Sequence, residues 1–153
     1  MAMAYINIGS NLGDRKANIS RAVALIADIA DGQLRCSGYV ESDPWGYESQ
    51  SKFLNVGISF PTTLTPESLL EKLLSIQESI SPDAHRDSSG NYIDRTIDID
   101  LIAVDSIVIN TPRLTLPHPR MHLRDFVLIP MAEIAPDWRH PLLGLTAGEM
   151  LAR

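Results

Sequence analysis

The chain has 153 residues, enough for one domain with a sizeable core, and 44% hydrophobic with 21% charged residues is ordinary for a globular protein. Its formal charge of −6 argues against non-specific binding to nucleic acid or to an anionic membrane surface. The lone Cys36 excludes an internal disulfide, and we find neither a signal segment nor an apolar run of about 18 residues. We therefore expect one cytoplasmic domain over residues 1–153.

A strand, a glycine-rich turn and a helix open the chain. Residues 3–8 alternate as in a strand, and residues 9–14 form a turn before a helix with Asp14 as its N-cap. Such a turn can bind phosphate, but Gly9 and Gly13 do not have the Walker spacing. The favoured interpretation is a plain connecting turn.

Two more strands are predicted over residues 34–40 and 53–60, with a loop rich in Pro, Gly and aromatic residues between them. An exposed Trp45 in that loop is unusual unless it covers something flat, although it could also fold back as a core residue. A second helix begins at Thr65, its N-cap, and continues to residue 80. Glu78 lies at the margin of its apolar face, where a solvated side chain is commoner than a ligand.

The most informative segment is residues 95–102, which follows a loop without apolar periodicity over residues 82–94. Apolar residues alternate here with Asp98 and Asp100, so the two carboxylates share one face of a buried strand, about 6.5 Å apart. Like charges near a core are costly without a cation, and Mg²⁺ suits one or two carboxylates completed by water and phosphate. The alternative is a strand end in solvent with one aspartate paired to Arg95.

The aspartate face is expected to become apolar again at Ile102 and Val104, and residues 107–109 to return as a hairpin. The next run contains three prolines and is strongly basic for an acidic protein, through Arg113, His118, Arg120, His122 and Arg124. Together with the aspartates, this run favours an anion site over a surface loop of unrelated charges. A helix interrupted at Pro130 and a short helix capped by Thr146 end the chain.

The element order predicts the fold. Strand, helix, strand, strand, helix, strand is the order of the split βαβ, ferredoxin-like fold. We therefore expect an α+β protein with an antiparallel βαββαβ sheet and helices on one face. A C-terminal hairpin and helices would extend it.

Five segments in this order resemble the 6-hydroxymethyl-7,8-dihydropterin pyrophosphokinase family: GSNLG at 9–13, FLN at 53–55, RTIDIDL at 95–101, RLTLPH at 113–118 and RDFVL at 124–128. Each segment is modest alone, but the set covers nearly the whole chain and is specific. The resemblance implies transfer of the β,γ-pyrophosphoryl group of ATP to the pterin hydroxymethyl oxygen, with release of AMP, in tetrahydrofolate biosynthesis.

The resemblance also implies the site residues. Two Mg²⁺ ions would be held by Asp98 and Asp100, and these aspartates would be catalytic together with Arg95 and Arg86. Phe53 and Phe126 would lie on the two faces of the pterin and Asn55 on its polar edge. The full pterin set is Ser42, Asp43, Trp45, Phe53, Asn55 and Phe126. The ATP set is Glu78, Arg95, Ile99, Leu101, Arg113, Thr115, His118 and Arg124.

This chemistry agrees with the residues themselves. Phosphoryl transfer depends on positioning and on neutralising spread negative charge, so arginines and a metal held by aspartates suffice without a protein nucleophile. The loop before Arg95 departs from the Gly-Arg-x-Arg and aromatic-Gly-Pro segments that many family members carry: one loop arginine is missing, and Arg86 and Tyr92 are the provisional equivalents of the family's loop residues. We expect residues 81–94 to close over bound nucleotide as a lid.

Two other functions stay open. A non-catalytic pterin- or nucleotide-binding module could have the same fold, and a kinase for another heterocyclic alcohol would differ only in the shape of its pocket. In each case we expect small-molecule substrates, no nucleic-acid or membrane partner, and a monomer.

Overall fold

The computed structural model describes residues 1–43, 51–82 and 96–153. Among the helices of these three ranges, none combines the length and the hydropathy needed to cross a bilayer. The elements in chain order are β1 Ala2–Ser10, α1 Arg15–Ala27, β2 Arg35–Cys36, β3 Val40–Ser42, β4 Phe53–Thr62, α2 Pro66–Ile80, β5 Asp98–Val104, β6 Ile109–Asn110, β7 Thr115–Leu116, a 3-10 turn Met121–Leu123, α3 Asp125–Ile134 and α4 Ala147–Leu151.

Side-chain caps decide where three of the helices begin. The Asp14 carboxylate accepts a hydrogen bond from the Ala17 N–H at 3.1 Å, and the Thr65 hydroxyl accepts one from the Ser68 N–H at 3.2 Å. Thr146 begins α4 with a complete capping box. Each cap satisfies an N–H that has no partner inside its helix, which is worth about 1 kcal/mol. The three predicted caps are confirmed.

The main sheet is antiparallel, with the strand order β2, β4, β1, β5 and with β3 also paired to β4. One face of the sheet forms the larger core with α1 and α2; its fully buried members include Ile6, Ile8, Ile19, Ile26, Ile58, Phe60, Leu69 and Leu73. On the other face α3 packs across β4 beside a second cluster that contains Ile102, Met121, Val127, Leu128, Met131 and Trp138. The predicted antiparallel α+β fold is confirmed, with α1 and α2 on one face and the C-terminal extension on the other.

The strand predicted over residues 34–40 is instead two short strands, β2 and β3. Between them the Ser37 hydroxyl accepts a hydrogen bond from the Gly57 N–H at 2.9 Å, and the Glu133 carboxylate accepts one from the Gly38 N–H at 3.1 Å. The Ser37 N–H still donates to the Gly57 carbonyl at 2.9 Å, but the two side-chain bonds occupy the N–H groups of Gly57 and Gly38, which a continuous strand would pair with backbone carbonyls. The break therefore depends on Glu133, far away in the sequence.

A bulge changes which face the end of β5 presents. The register with β1 shifts between Tyr5 and Ile6, which leaves Ile102 as an extra residue of β5. Ala103 therefore joins the cluster around α3, and Val104 packs into the core with α1 and α2. The prediction that Val104 shares the aspartate face is wrong for this reason.

Two predictions for the C-terminal part are also wrong. Residues 107–109 do not return along β5, because the Asp105 N–H donates to the Met3 carbonyl at 2.8 Å and the chain turns over the end of β1. Strand β6 pairs with β7 in a separate two-stranded sheet. Helix α3 continues through Pro130 without interruption.

Candidate active site

Two rows of residues cross β4, β1 and β5 on the face that α3 covers. Gly9 lies opposite Asn55 on one side and Asp98 on the other, while the next row on β1 places Asn7 opposite Asp100. Residues that are directly opposed in an antiparallel sheet point to the same face. Because neighbouring strands are about 4.8 Å apart, Asn55 and Asp98 are separated by about 10 Å across the bare backbone of Gly9.

The aspartate pair lies as the alternation predicts. Asp98 and Asp100 are half-buried, whereas Ile97 and Ile99 are buried in the core. Two carboxylates on one strand face are oxygen donors of the kind that Mg²⁺ takes when water and phosphate complete its shell. Oxygen donors suit Mg²⁺ better than zinc, whose protein sites are built mainly from Cys and His. The residues therefore fit the predicted metal.

A cavity of about 460 Å³ opens beside β5, between α2 and the segment from residue 112 to 119. This volume is within the range of small-molecule sites. Apolar side chains of Leu70 and Leu74 form part of its wall. It also brings together both aspartates and most of the predicted ATP residues: Asp98, Asp100, Ile99, Leu101, Arg113, Thr115 and His118.

Gln77 is a residue of this cavity that the sequence analysis missed. Its side-chain Oε1 accepts a hydrogen bond from the Ile99 N–H at 2.8 Å, between the two aspartates in the chain. Gln77 is buried because it continues the apolar face of α2 one turn after Leu73, and that spacing is the signal that could have found it. The predicted ligand Glu78 is exposed and is not among the residues of the cavity wall, so its role stays a prediction.

His118 is held as a neutral donor. The backbone N–H of His118 donates to the Ile102 carbonyl at 2.8 Å, and the ring Nδ1 accepts from the backbone N–H of Arg120 at 3.2 Å. In a neutral imidazole the other nitrogen, Nε2, then carries the proton. Burial, followed by the nearby charges of Arg124 and Arg120, lowers the His118 pKa to about 4. The ring can therefore donate a hydrogen bond to an anion without first being charged.

Two of the predicted ATP-binding arginines, Arg113 and Arg124, differ in their surroundings. Arg113 forms an ion pair with Glu71 of α2 at 2.8 Å, with both side chains mostly exposed. Such a surface pair is worth no more than about 1 kcal/mol, so a phosphate can displace Glu71 at small cost. The guanidinium of Arg124 lies over the ring of Phe126, 5.7 Å from its centre. This contact joins Arg124, a predicted phosphate ligand, to Phe126, a predicted pterin ligand.

Asn55 is fixed at the centre of the predicted pterin residues. Its Nδ2 donates to the Val40 carbonyl at 3.0 Å and to the Ser42 hydroxyl at 2.8 Å, which uses both amide hydrogens. Its Oδ1 is directed at Gly9, where a Cβ would be only 2.8 Å away. The amide oxygen is therefore an acceptor held against bare backbone. Phe53 lies opposite Ser42 in the strand register.

Asn11 of the glycine-rich turn and Arg15, the first residue of α1, contact residues that flank positions 44–50 in the sequence. Asn11 donates to the Ser51 carbonyl at 3.1 Å, and Arg15 donates to the Glu41 carboxylate at 3.2 Å and to the Lys52 carbonyl at 3.0 Å. These contacts agree with a connecting turn rather than a phosphate cradle. Beside them Asp43 lies 4.0 Å from the Lys52 ammonium, largely exposed.

Four predicted features lie outside the described residues. They are Trp45 of the pterin set, the arginines Arg86 and Arg95, and the lid beyond residue 82. Their roles stay predictions.

The sequence is similar to known proteins over most of its length. A sequence model of 7,8-dihydro-6-hydroxymethylpterin-pyrophosphokinase matches residues 5–136. The chain is 37% identical to the 2-amino-4-hydroxy-6-hydroxymethyldihydropteridine pyrophosphokinase of Porphyromonas gingivalis, over 92% of this chain and 95% of that protein. It is 38% identical to the protein of the same name from Methylorubrum extorquens, over 100% of this chain and 94% of that one.

The fold has solved counterparts. The A437G HPPK-DHPS of Plasmodium falciparum, in a crystal structure with SDX-DHP, aligns with 99% of this chain at a TM-score of 0.76 and 14% sequence identity. The wild-type HPPK-DHPS gives a TM-score of 0.75. This chain spans 45% and 44% of those longer chains, and at this identity the likeness is one of fold.

Proposed function

Because the chain belongs to the 7,8-dihydro-6-hydroxymethylpterin-pyrophosphokinase family, we propose that the cavity beside β5 and the row from Asn55 to Asp98 form one active site. The reaction is the transfer of a pyrophosphoryl group from ATP to 6-hydroxymethyl-7,8-dihydropterin, a step of folate biosynthesis. The observation that carries the placement is the row itself, since it puts a fixed amide acceptor and a metal-binding carboxylate on one face with open backbone between them.

The pterin binds at the Asn55 end of the row. Asn55 Oδ1 accepts a hydrogen bond from an N–H on the polar edge of the pterin, because both hydrogens of its amide are already used within the protein. Phe53 and Phe126 stack on the two faces of the ring, and stacking of this kind contributes about 1–3 kcal/mol per aromatic contact. Gly9 leaves the space that a side chain would fill.

ATP binds in the cavity beside β5. The apolar wall from α2 and β5 accommodates the base, and the polar groups at the other end receive the phosphates. His118 donates through Nε2, and Arg113 and Arg124 donate through planar guanidinium groups that match phosphate oxygens. The position of Gln77 keeps the main chain at Ile99 in place beside the aspartates.

Asp98 and Asp100 would hold two Mg²⁺ ions. When bound, these ions neutralise the charge on the triphosphate and on the group in transfer. The protein supplies positioning, since it holds the pterin edge at Asn55 and the phosphates at His118 and Arg113. We include Arg95 and Arg86 in the catalytic set from the family resemblance. We also propose that residues 1–153 act as one cytoplasmic, monomeric domain.

A product assay tests this proposal. With the pterin alcohol, ATP and Mg²⁺, the protein should release AMP and form the pterin diphosphate. Formation of ADP would indicate an ordinary kinase, and ATP consumption that does not depend on the pterin would refute the assigned substrate. Binding of both substrates without turnover would favour the non-catalytic module.

A further inference from the structure

Helix α3 is attached to the sheet through a carbonyl that its own proline leaves without a helical donor. Pro130 has no N–H, so it cannot bond the Phe126 carbonyl four residues earlier. Asn7 of β1 supplies the donor instead, since its Nδ2 lies 3.0 Å from that carbonyl. Asn7 is only 4% exposed. A bond between helix and sheet thus replaces a bond within the helix.

Close packing fixes the same point of the helix. Gly57 lies opposite Asn7 in the register of β4 with β1, and a Cβ at Gly57 would be 2.7 Å from Cβ of Pro130. The absence of a side chain at Gly57 therefore lets the helix approach the sheet to the distance at which Asn7 reaches the carbonyl. Because the backbone of β4 at Gly57 and the ring of Pro130 are both rigid, α3 has little freedom to slide over the sheet at this contact.

Burying the amide of Asn7 costs free energy that packing alone does not explain. A buried amide loses its bonds to water and is neutral at best when the protein returns them, whereas an apolar side chain of the same size would cover the helix without that cost. Asn7 also lies opposite Asp100 and two residues before Gly9 on the same strand face. It therefore connects the centre of the proposed site to the first turn of α3.

That first turn carries the groups that need to be placed. Phe126 is half-buried there, and Arg124, at the N-cap position, lies over its ring at 5.7 Å from the centre. A shift of this turn moves both side chains relative to Asn55 and Gly9. The aspartates stay in place, because β5 is held separately by β1 and Gln77.

We propose that Asn7 is a positioning residue for the reaction, which sets the height of Phe126 over the pterin by holding the carbonyl that Pro130 leaves without a helical donor. The inference rests on the proposed function, because it takes Phe126 as a stacking residue. It concerns a bond that spans β1 and α3 and that the substrate does not touch.

The test is a double-mutant cycle of Asn7→Leu and Pro130→Ala. Asn7→Leu keeps the volume but removes the donor, so the KM for the pterin should rise about tenfold, as loss of one buried hydrogen bond produces. The Mg²⁺ concentration for half-maximal activity should not change. Pro130→Ala restores a backbone N–H that can bond the Phe126 carbonyl, so Asn7→Leu should have a much smaller effect on the pterin KM in that background.

A matched control is Ser59→Ala, because Ser59 is a buried polar residue of β4 on the same face, one row farther from the site. It should leave the pterin KM unchanged. An equal rise in KM with and without Pro130→Ala overturns the proposal, as does a lower melting temperature with an unchanged KM. If Asn7→Leu does not fold alone, the double variant should fold, and failure of both also overturns it.

The melting temperatures of the same four proteins separate this proposal from the proposed function. If the changes in melting temperature caused by Asn7→Leu and Pro130→Ala are not additive, they demonstrate the hydrogen bond from Asn7 to the Phe126 carbonyl without any substrate. A wild-type protein that makes no AMP refutes the proposed function and the positioning role together, while the temperatures still report the contact.

Discussion

Gly9→Ala is expected to disable the pterin side of the site with a single methyl group. The new Cβ would lie 2.8 Å from Asn55 Oδ1 and 3.3 Å from Cδ1 of Phe53. Ordinary contact begins at 3.4 Å, so the amide has to move by about 0.6 Å. That movement strains the bonds from Asn55 to Val40 and Ser42, which measure 3.0 and 2.8 Å. The backbone itself permits alanine, because the φ of Gly9 is not in the left-handed region.

The size of the effect follows from the groups involved. A buried amide that loses a well-formed partner costs about 1–3 kcal/mol, which corresponds to a 5- to 150-fold weaker affinity for the pterin. Titration calorimetry with the pterin and, separately, with a non-hydrolysable ATP analogue measures the two affinities. Only the first should change strongly, because the three atoms nearest to the new methyl group all belong to Asn55 and Phe53 of the predicted pterin set.

Two variants complete the experiment. Gly148→Ala in α4 is the control, because its Cβ would meet only the Thr146 hydroxyl, at 4.0 Å, and both affinities should stay unchanged. Adding Asn55→Ala to Gly9→Ala should cost little beyond Asn55→Ala alone, since the collision with Oδ1 then disappears and only the milder 3.3 Å contact with Phe53 remains. A folded Gly9→Ala protein with unchanged pterin affinity, or with equal losses for both ligands, would refute the reasoning.

Three further predictions concern separate parts of the site. Asp98→Asn and Asp100→Asn should each abolish Mg²⁺-dependent AMP formation with an unchanged circular dichroism spectrum; residual activity in either contradicts the metal assignment. Because the pKa of His118 is lowered to about 4, the folded state favours the neutral ring, and stability should fall by up to about 3 kcal/mol as the pH drops from 6.5 to 4. Urea unfolding at several pH values checks this, and His118→Asn should flatten the curve. Phe126→Ala should weaken pterin binding by about 1–3 kcal/mol and ATP binding less, through Arg124, whereas an equal loss in calorimetry indicates a structural role alone.

The parts of the fold that could be predicted are those coded by local pattern. Alternation at Asp98 and Asp100 and the caps Asp14 and Thr65 depend on residues a few positions apart, and each is present in the structure. The break between β2 and β3 depends on Glu133, which lies 95 residues from Gly38. No local periodicity contains that information.

The predictions for the face of Val104 and for a helix interruption at Pro130 were wrong for the same reason. A bulge is a property of two paired strands, and the pairing partner Tyr5 lies far from Ile102 in the sequence. A proline usually ends a helix because a carbonyl loses its donor. Here Asn7, 119 residues away, supplies that donor.

For the site, sequence patterns identified side chains with evident chemistry and missed those that act through the backbone. Asp98 and His118 are predicted from carboxylate and imidazole groups in informative patterns, whereas the role of Asn55 follows from the family resemblance. Gln77 and Asn7 were missed, since their partners are the Ile99 N–H and the Phe126 carbonyl, which no sequence pattern displays. Glu78 entered the predicted ATP set only through the family resemblance, since its place at the margin of the apolar face of α2 favours a solvated side chain.

The strand that carries the aspartates also closes one end of the sheet, and this has a consequence for solubility. An unpaired strand edge invites another chain to add a strand, which leads to aggregation. On the outer edge of β5 the Ile99 N–H is already bonded to Gln77 and the Ile102 carbonyl to the His118 N–H. The two carboxylates add like-charge repulsion against a second copy of the same edge. We therefore expect this edge, beside the proposed ATP cavity, to admit small molecules but not a further strand, and the charges of Asp98 and Asp100 to help keep the protein dispersed.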